Sequence, residues 1–200
     1  MSNSSALLII DVQNDFCEGG ALEVPGGSQV VAPINAMIAD YGTVVLSQDW
    51  HPSDHSSFAS NHSDKDPFDI MQASYGPQVL WPDHCVQATD GANFHRDLDA
   101  SKAHMIVRKG FRREIDSYSA FFENDQTTPT GLEGYLRSRN VTDVAIVGLA
   151  LDFCVQFTAL DARRLGFETT VFAVACRAID LDGSLEQAMH AMRNANVVLK

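Results

Sequence analysis

A chain of 200 residues is long enough for one domain with a substantial core, and we expect a single domain over residues 1–200. Its apolar fraction of 45% and charged fraction of 20% are ordinary for a globular protein. The formal net charge of −12 argues against a nucleic-acid partner and against an acidic membrane surface, because both bind basic faces.

The first apolar stretch is short, since residues 6–10 are followed directly by Asp11. A signal peptide needs a longer apolar segment, and a membrane span needs roughly 20 residues. We therefore expect a cytoplasmic protein with no membrane partner. Four cysteines stand far apart without a C-x-x-C pair, and in an intracellular chain they are expected to be free thiols: Cys17, Cys85, Cys154 and Cys176.

Short apolar runs separated by helix-length segments predict an α/β fold whose strands are buried and mainly parallel. We place six strands at residues 6–10, 43–48, 104–108, 143–148, 168–174 and 196–200. Helical spacing predicts helices at residues 28–40, 131–140, 153–165 and 184–194, with Ser28 as the cap of the first and Gly166 as the stop of the third. The expected architecture is a three-layer, Rossmann-like arrangement with helices on both faces of the sheet.

Two long stretches, residues 49–93 and 110–129, show no regular periodicity. Stretches of this length without secondary structure are uncommon and are usually either functional or disordered. The first contains four of the seven histidines and both tryptophans, which favours a functional loop.

Four of the predicted strands run into residues that carry chemistry. Asp11 follows the first strand and Asp49 the second, Lys109 follows the third, and Cys154 comes six residues after the fourth. In open α/β sheets the binding crevice lies at the carboxyl ends of the strands. We therefore expect these side chains to meet in one place.

Asp49 and His51 are two residues apart, so an extended backbone places both side chains on the same face. A carboxylate and an imidazole there suit Zn²⁺, Mn²⁺ or Fe²⁺, with a third ligand from elsewhere in the chain. His84 is the best candidate for that ligand, and His55 is a weaker one. The alternative is a solvated polar loop without a metal.

Cys154 is expected at the start of a helix, where the helix dipole lowers the pKa of a thiol and favours the thiolate. A buried, inert cysteine is the alternative. Asp11 has the chemistry of a general base, a metal ligand or a helix cap, and Lys109 that of a buried cation or a surface lysine. A base, a cation and a nucleophile at three strand ends together satisfy the requirements of covalent acyl transfer.

Two aromatic residues, Phe16 and Trp81, offer flat faces to a ring-shaped substrate, although composition alone favours core packing or loop anchoring for them.

Six blocks of the sequence closely resemble nicotinamidases (also called pyrazinamidases) of the isochorismatase-like cysteine hydrolase superfamily. The blocks occur in the family's order, which makes the signal far more specific than a lone motif. They are residues 11–16 (DVQNDF), 49–52 (DWHP) with His55 and Phe58, 81–86 (WPDHCV), 108–110 (RKG), 116–121 (DSYSAF) and 148–155 (GLALDFCV).

The resemblance implies an isochorismatase-like fold and a role for each matching residue. Asp11, Lys109 and Cys154 would form a catalytic triad, while Asp49, His51 and His84 would bind one divalent metal. Zinc is favoured, with iron and manganese as alternatives, and some relatives also use a histidine at the position of His55. The backbone N–H groups of Ala150 and Cys154 would form an oxyanion hole, with a cis peptide just before Ala150. Phe16 and Trp81 would flank the pyridine ring.

The activity implied by the resemblance is hydrolysis of nicotinamide to nicotinate and ammonia through a thioester on Cys154, as in NAD salvage. Pyrazinamide is expected as a further substrate, and the partner is then a small molecule. Whether the chain forms a homo-oligomer stays open. One departure is Leu151, where relatives usually have threonine, and it bears on substrate preference rather than on the nucleophile.

The sequence argues against three alternative functions. Isochorismatases lack the cysteine nucleophile, so Cys154 argues against them. Carbamoyl-amide hydrolases keep the triad but are not expected to have the metal ligands, which makes them the nearest alternative. A non-catalytic metal-binding or redox-sensing protein would leave Asp11 and Lys109 without a role.

Overall fold

A computed structural model describes residues 4–200, which form eight strands and four α-helices. The strands are β1 (Ser5–Ile10), β2 (Thr43–Asp49), β3 (Ile70–Ala73), β4 (Gly76–Val79), β5 (Met105–Lys109), β6 (Asp143–Leu149), β7 (Glu168–Arg177) and β8 (Val198–Leu199). The helices are α1 (Val31–Ile38), α2 (Leu132–Ser138), α3 (Gln156–Arg164) and α4 (Ser184–Asn194).

Six of the strands form one sheet in the order β5-β2-β1-β6-β7-β8, and every pairing in it is parallel. Both faces of strand β1 are buried, since its alternate residues point into the two helical layers on either side of the sheet. Ala6, Leu8 and Ile10 pack with the residues of α2, α3 and α4, whereas Leu7 and Ile9 pack with those of α1. The predicted α/β fold, with helices on both faces of a six-stranded parallel sheet, is confirmed.

The helix boundaries correct two details of the sequence interpretation. Ser28 does not cap the first helix, because it lies inside a 3₁₀ turn (Gly27–Val30) and α1 begins after that turn. Pro33 is then in the first turn of α1, where a missing N–H breaks no helical bond. The third predicted helix begins as a π-helical turn (Leu151–Val155) that continues into α3.

The stretch of residues 49–93 is more regular than expected, because it contains an antiparallel hairpin of β3 and β4. Pro77 lies within β4 and Ile70 is 66% exposed, so neither strand shows the apolar alternation that predicts a strand. Residues 110–129 contain neither helix nor strand, as predicted. Within residues 4–200, no helix combines the length and apolar character needed to cross a lipid bilayer.

The centre of the sheet contains the point where the strand order reverses. From β1 the chain builds outward through β2 and β5 on one side, and it then crosses to β6 on the other side. Crevices at such a point are the usual ligand sites of open α/β sheets. Gly148 allows the two central strands to approach closely here, since its φ is +119° and a Cβ atom would lie 2.1 Å from the carbonyl oxygen of Ile10.

Candidate functional site

The carboxyl ends of four neighbouring strands bring the predicted residues together. Asp11 directly follows β1, and Cys154 lies in the turn after β6. Asp49 and Lys109 are the last residues of β2 and β5 and are register partners across that pair of strands. All four side chains are buried.

The ammonium group of Lys109 lies at the centre of this cluster. Its Nζ donates to Asp49 Oδ1 at 2.5 Å, to the carbonyl oxygen of Ser117 at 2.7 Å and to Cys154 Sγ at 3.4 Å. It also lies 2.9 Å from Asp11 Oδ2. Burial alone would lower the pKa of Lys109, but the carboxylates of Asp11 and Asp49 hold that pKa well above its ordinary value. The lysine therefore stays protonated.

Asp11 has two different carboxylate oxygens. Oδ1 accepts a hydrogen bond from the Ser47 hydroxyl at 2.7 Å, and the same hydroxyl accepts from the backbone N–H of Asp11 at 3.2 Å. Oδ2 is buried, and it forms the ion pair with Lys109 Nζ at 2.9 Å. Burial raises the pKa of Asp11 to about 6 against the opposing charge of Lys109. A carboxylate with such a pKa is suited to exchange a proton near neutral pH.

The position of Cys154 at the start of a helical segment is confirmed, but the expected lowering of its pKa is wrong. Burial raises the pKa of the thiol well above its ordinary value, and the opposing effect of Lys109 does not overcome it. The charges of Asp11 and Asp49 raise it further. The sulfur therefore keeps its proton until a neighbouring base removes it.

Asp49, His51 and His84 have ligand atoms that all lie within 4.8 Å of one another. Asp49 Oδ2 lies 3.6 Å from Nε2 of His51 and 3.9 Å from Nε2 of His84. The Nδ1 atoms of the two rings bind the carbonyl oxygens of Gly110 and Pro82, at 2.9 and 2.8 Å. A donor Nδ1–H on each ring leaves the Nε2 lone pair directed at the carboxylate, which is the tautomer that a metal requires.

These three residues fit a divalent metal. They offer two imidazole nitrogens and one carboxylate oxygen, and burial with the nearby His51 lowers the pKa of His84 to about 4, so that this ring is neutral. Three protein ligands beside an open cleft leave positions for water or a substrate. Asp49 is shared between two groups, since its Oδ1 binds Lys109 while its Oδ2 faces the histidines.

His55 belongs to a different cluster. Its ring centroid is 4.6 Å from that of His51, but its ligand atom groups with His51 and Asp116 rather than with Asp49 and His84. Both of its ring nitrogens already have partners in the chain, the Ser57 hydroxyl at 2.7 Å and the carbonyl oxygen of Ile115 at 3.4 Å.

A cleft of about 330 Å³ opens onto the nucleophile and the metal-type cluster. The predicted residues Phe16 and Trp81 both line it, together with Ala150 and Cys154. The peptide bond between Leu149 and Ala150 is cis, as the family resemblance implied.

Sequence reasoning missed five residues of the cleft wall, one of which is Asp116, a residue of a matching block that was given no role. Phe153 was quoted as part of the last matching block without a role, and its ring is 4.9 Å from that of Trp81, at an angle of 86°. The Trp81 indole donates its Nε1 hydrogen to the Tyr118 hydroxyl at 3.2 Å. Tyr118 also belongs to a matching block, so its signal was present but unassigned. The remaining two, Leu22 and Ile179, belong to no matching block.

Gln13 is a further residue that the sequence did not single out, and it fixes the position of Asp49. Its side-chain amide donates to the carbonyl oxygen of Asp49 and accepts from the N–H of Asp49, both at 2.8 Å. It also donates to the carbonyl oxygen of Ala92 at 2.9 Å. The side-chain amide of Gln13 thus links the chain after β1 to the end of β2, in the manner of a further backbone pair. This link holds the backbone of Asp49 beside the segment that carries Asp11.

Comparison with known proteins gives a consistent picture over nearly the whole chain. Residues 5–200 match the family model described as the Isochorismatase domain. A protein of Acinetobacter baylyi named nicotinamidase is 52% identical over 196 residues, which cover 98% of this chain and 92% of that protein.

Two solved structures show the same fold. A nicotinamidase and pyrazinamidase of Acinetobacter baumanii superimposes with a TM-score of 0.98 at 51% identity, and the match covers 100% of this chain and 96% of that one. A pyrazinamidase of Pyrococcus horikoshii in complex with zinc superimposes with a TM-score of 0.79 at 33% identity, covering 98% of each chain.

Gln13 and Gln48 form a matched pair for testing the role of the first amide. Gln48 donates to the same carbonyl oxygen of Ala92, at 2.8 Å, but has no side-chain bond to Asp49. Replacing Gln13 by methionine leaves the N–H and carbonyl of Asp49 without their partner. We expect Gln13→Met to lower the free energy of unfolding by about 2–5 kcal/mol, and Gln48→Met by about 1 kcal/mol. Urea denaturation of both variants measures the difference, and equal losses would contradict the assigned role.

Proposed function

Because this chain belongs to the isochorismatase family and relatives that it matches over most of their length are named nicotinamidases, we propose that it hydrolyses nicotinamide to nicotinate and ammonia. The observation that carries the proposal is the meeting of a thiol, a carboxylate, an ammonium group and a metal-type cluster at one cleft. Each group has a place in amide hydrolysis, and the two aromatic residues at the wall suit a planar ring.

The nucleophile of the proposal is Cys154 and its base is Asp11. Asp11 Oδ2 takes the thiol proton as Sγ forms a bond to the carboxamide carbon of the substrate. The raised pKa of the thiol means that this transfer accompanies attack and does not precede binding. Lys109 stays protonated beside both groups and balances the negative charge, whichever of them carries it.

The tetrahedral intermediate places a negative charge on the former carbonyl oxygen. The backbone N–H groups of Ala150 and Cys154 are assigned as its hydrogen-bond donors, a contribution of about 3–4 kcal/mol per donor in other enzymes. As the carbon–nitrogen bond breaks, Asp11 returns the proton to the departing ammonia and a thioester remains on Cys154. A water molecule then gives a proton to Asp11 and attacks the thioester, which releases nicotinate and restores the thiol.

Asp49, His51 and His84 are the proposed metal ligands, and zinc is favoured over iron and manganese. When bound, the ion supplies a Lewis acid for the ring nitrogen of the substrate, directly or through water. The chain itself orients the ligands, since backbone carbonyls hold both imidazoles and Gln13 holds the backbone of Asp49.

The substrate ring is proposed to lie between Phe16 and Trp81, with its carboxamide toward Cys154. Pyrazinamide differs only in one further ring nitrogen and is a substrate on the same grounds. The product nicotinate returns to NAD synthesis, which places the enzyme in salvage of the pyridine ring.

A hydrolase of carbamoyl amides is the second candidate function. It would use the same triad of Asp11, Lys109 and Cys154, but it has no need for the cluster of Asp49, His51 and His84. The directed Nε2 atoms of both histidines favour the nicotinamide reaction.

The covalent mechanism predicts that Cys154→Ala lowers the rate of ammonia release from nicotinamide by at least about 10⁴-fold, because it removes the nucleophile. Cys176→Ala is the matched control, since Cys176 is also a buried free thiol but does not line the cleft. Ammonia and nicotinate are measured together. Equal rates for the Cys154→Ala variant and the wild type would refute the nucleophile, and an inactive, metal-loaded wild type would favour the carbamoyl-amide reaction.

The metal assignment predicts different results for three histidines. His51→Ala and His84→Ala each remove one ligand, and we expect a loss of metal affinity of at least about tenfold for each. His55→Ala is expected to keep the metal content of the wild type, because the partners of its ring lie outside the cluster. Elemental analysis after dialysis gives the metal-to-protein ratio. Full occupancy in His51→Ala would contradict the ligand set.

A further inference from the structure

Asp152 is a buried carboxylate beside the nucleophile that has no part in the proposed chemistry. It lies two residues before Cys154 in the π-helical turn, and it is 3% exposed. Its oxygens accept three hydrogen bonds, two from the connection between β7 and α4 and one from the first residue of α4. The donors are the N–H of Ile179 at 3.0 Å, the N–H of Asp180 at 2.7 Å and the hydroxyl of Ser184 at 2.5 Å.

That connection contains a short 3₁₀ turn (Leu181–Gly183), and its backbone departs from regular helical angles. Asp180, Asp182 and Gly183 all have positive φ values, of 57°, 50° and 82°. Non-glycine residues adopt this region at a cost, so the surrounding structure must hold them there. Two consecutive N–H groups directed at one buried carboxylate provide that restraint.

The same connection supplies one wall of the cleft. Ile179 lines the cleft together with Cys154 and Phe153, and it is the only lining residue that comes from the β7–α4 connection. Its N–H is held by Asp152, so the carboxylate fixes the backbone from which the isoleucine side chain projects. The Asp152 side chain thereby joins the turn that carries Cys154 to the connection that carries Ile179.

We propose that Asp152 is a positioning residue for substrate specificity: it sets how closely Ile179 packs against the substrate ring. The proposal rests on the proposed function, because it assumes that an aromatic amide occupies this cleft. Packing of an apolar side chain against a ring is maintained in the ground state and in the transition state alike. Its loss therefore raises KM and leaves kcat nearly unchanged.

The test compares steady-state kinetics of nicotinamide hydrolysis for single and double variants. Ile179→Ala removes the wall itself and is expected to raise KM about tenfold or more. Asp152→Asn keeps the side-chain shape but turns an NH₂ group toward one of the donors, and it is expected to raise KM about fivefold to tenfold with kcat within about threefold. If Asp152 acts through Ile179, then Asp152→Asn raises KM less than about twofold in the Ile179→Ala background.

Two further variants keep the result interpretable. Asp161→Asn is the matched control, because Asp161 is a part-buried aspartate on α3 that pairs with Arg164 and has no bond to the β7–α4 connection; its KM is expected to stay at the wild-type value. Ser184→Ala removes one of the three hydrogen bonds and leaves the carboxylate in place. If Asp152→Asn does not fold, Ser184→Ala tests the proposal in its place. This variant is expected to raise KM about twofold to threefold.

The outcomes separate this proposal from the proposed function. A wild type that releases no ammonia from nicotinamide would overturn the function itself. An active wild type whose KM is unchanged in both Asp152→Asn and Ser184→Ala would overturn only the role of Asp152. Independent effects of Asp152→Asn and Ile179→Ala on KM, or a fall in kcat at constant KM, would also overturn it, since Asp152 would then act on the nucleophile or on stability alone.

Discussion

The buried ammonium group of Lys109 is the interaction on which the rest of the site depends. It lies within 3.4 Å of two carboxylates and a thiol, and none of these groups has appreciable contact with solvent. Without a cation, two carboxylates this close could not both ionise. Removing one partner of such a buried arrangement typically costs about 3–5 kcal/mol, because the remaining charges stay buried without compensation. The proposed roles of Asp11 as a base and of Asp49 as a metal ligand therefore both depend on this lysine.

The parallel sheet makes this arrangement possible. Asp49 and Lys109 are the last residues of the adjacent strands β2 and β5 and are register partners. Asp11 directly follows β1, which is the neighbour of β2 on its other side. Backbone pairing between neighbouring strands thus sets how far apart the backbones of Asp11, Asp49 and Lys109 lie. The amide of Gln13 extends that pairing past the last strand residue, so the distance between the proton-transfer group and the metal-type cluster depends on main-chain geometry.

The sequence was sufficient to predict the sheet and the residues that end its strands. Buried parallel strands contain continuous apolar runs, and Asp11, Asp49 and Lys109 come directly after the strands predicted from such runs. The hairpin at β3 and β4 was not predicted, since a strand that contains Pro77 and exposes Ile70 has no apolar pattern to detect. The family resemblance contributed the cis peptide bond before Ala150, which the spacing of residues does not indicate.

Other features depend on tertiary contacts and have no local signal. The expected low pKa of Cys154 followed from its place at a helix start, but burial and two nearby carboxylates raise this pKa. The backbone N–H of Ile179, a residue of the cleft wall, donates to Asp152, which is far away in sequence. Gln13 is a polar residue in a loop by sequence, and its role appears only when β2 is beside it. In each case the partner is distant along the chain.

The most direct test of the role of Lys109 is the pH dependence of Cys154 alkylation, because this reaction needs the base but no substrate. Asp11 accepts the thiol proton only when ionised, so the rate in the wild type is expected to rise with pH around the Asp11 pKa of about 6. Lys109 lowers that pKa, and Lys109→Met should therefore move the rise to higher pH. Mass spectrometry of the peptide that contains Cys154 follows the reaction at this thiol alone. A rise at the same pH in both proteins would contradict the account.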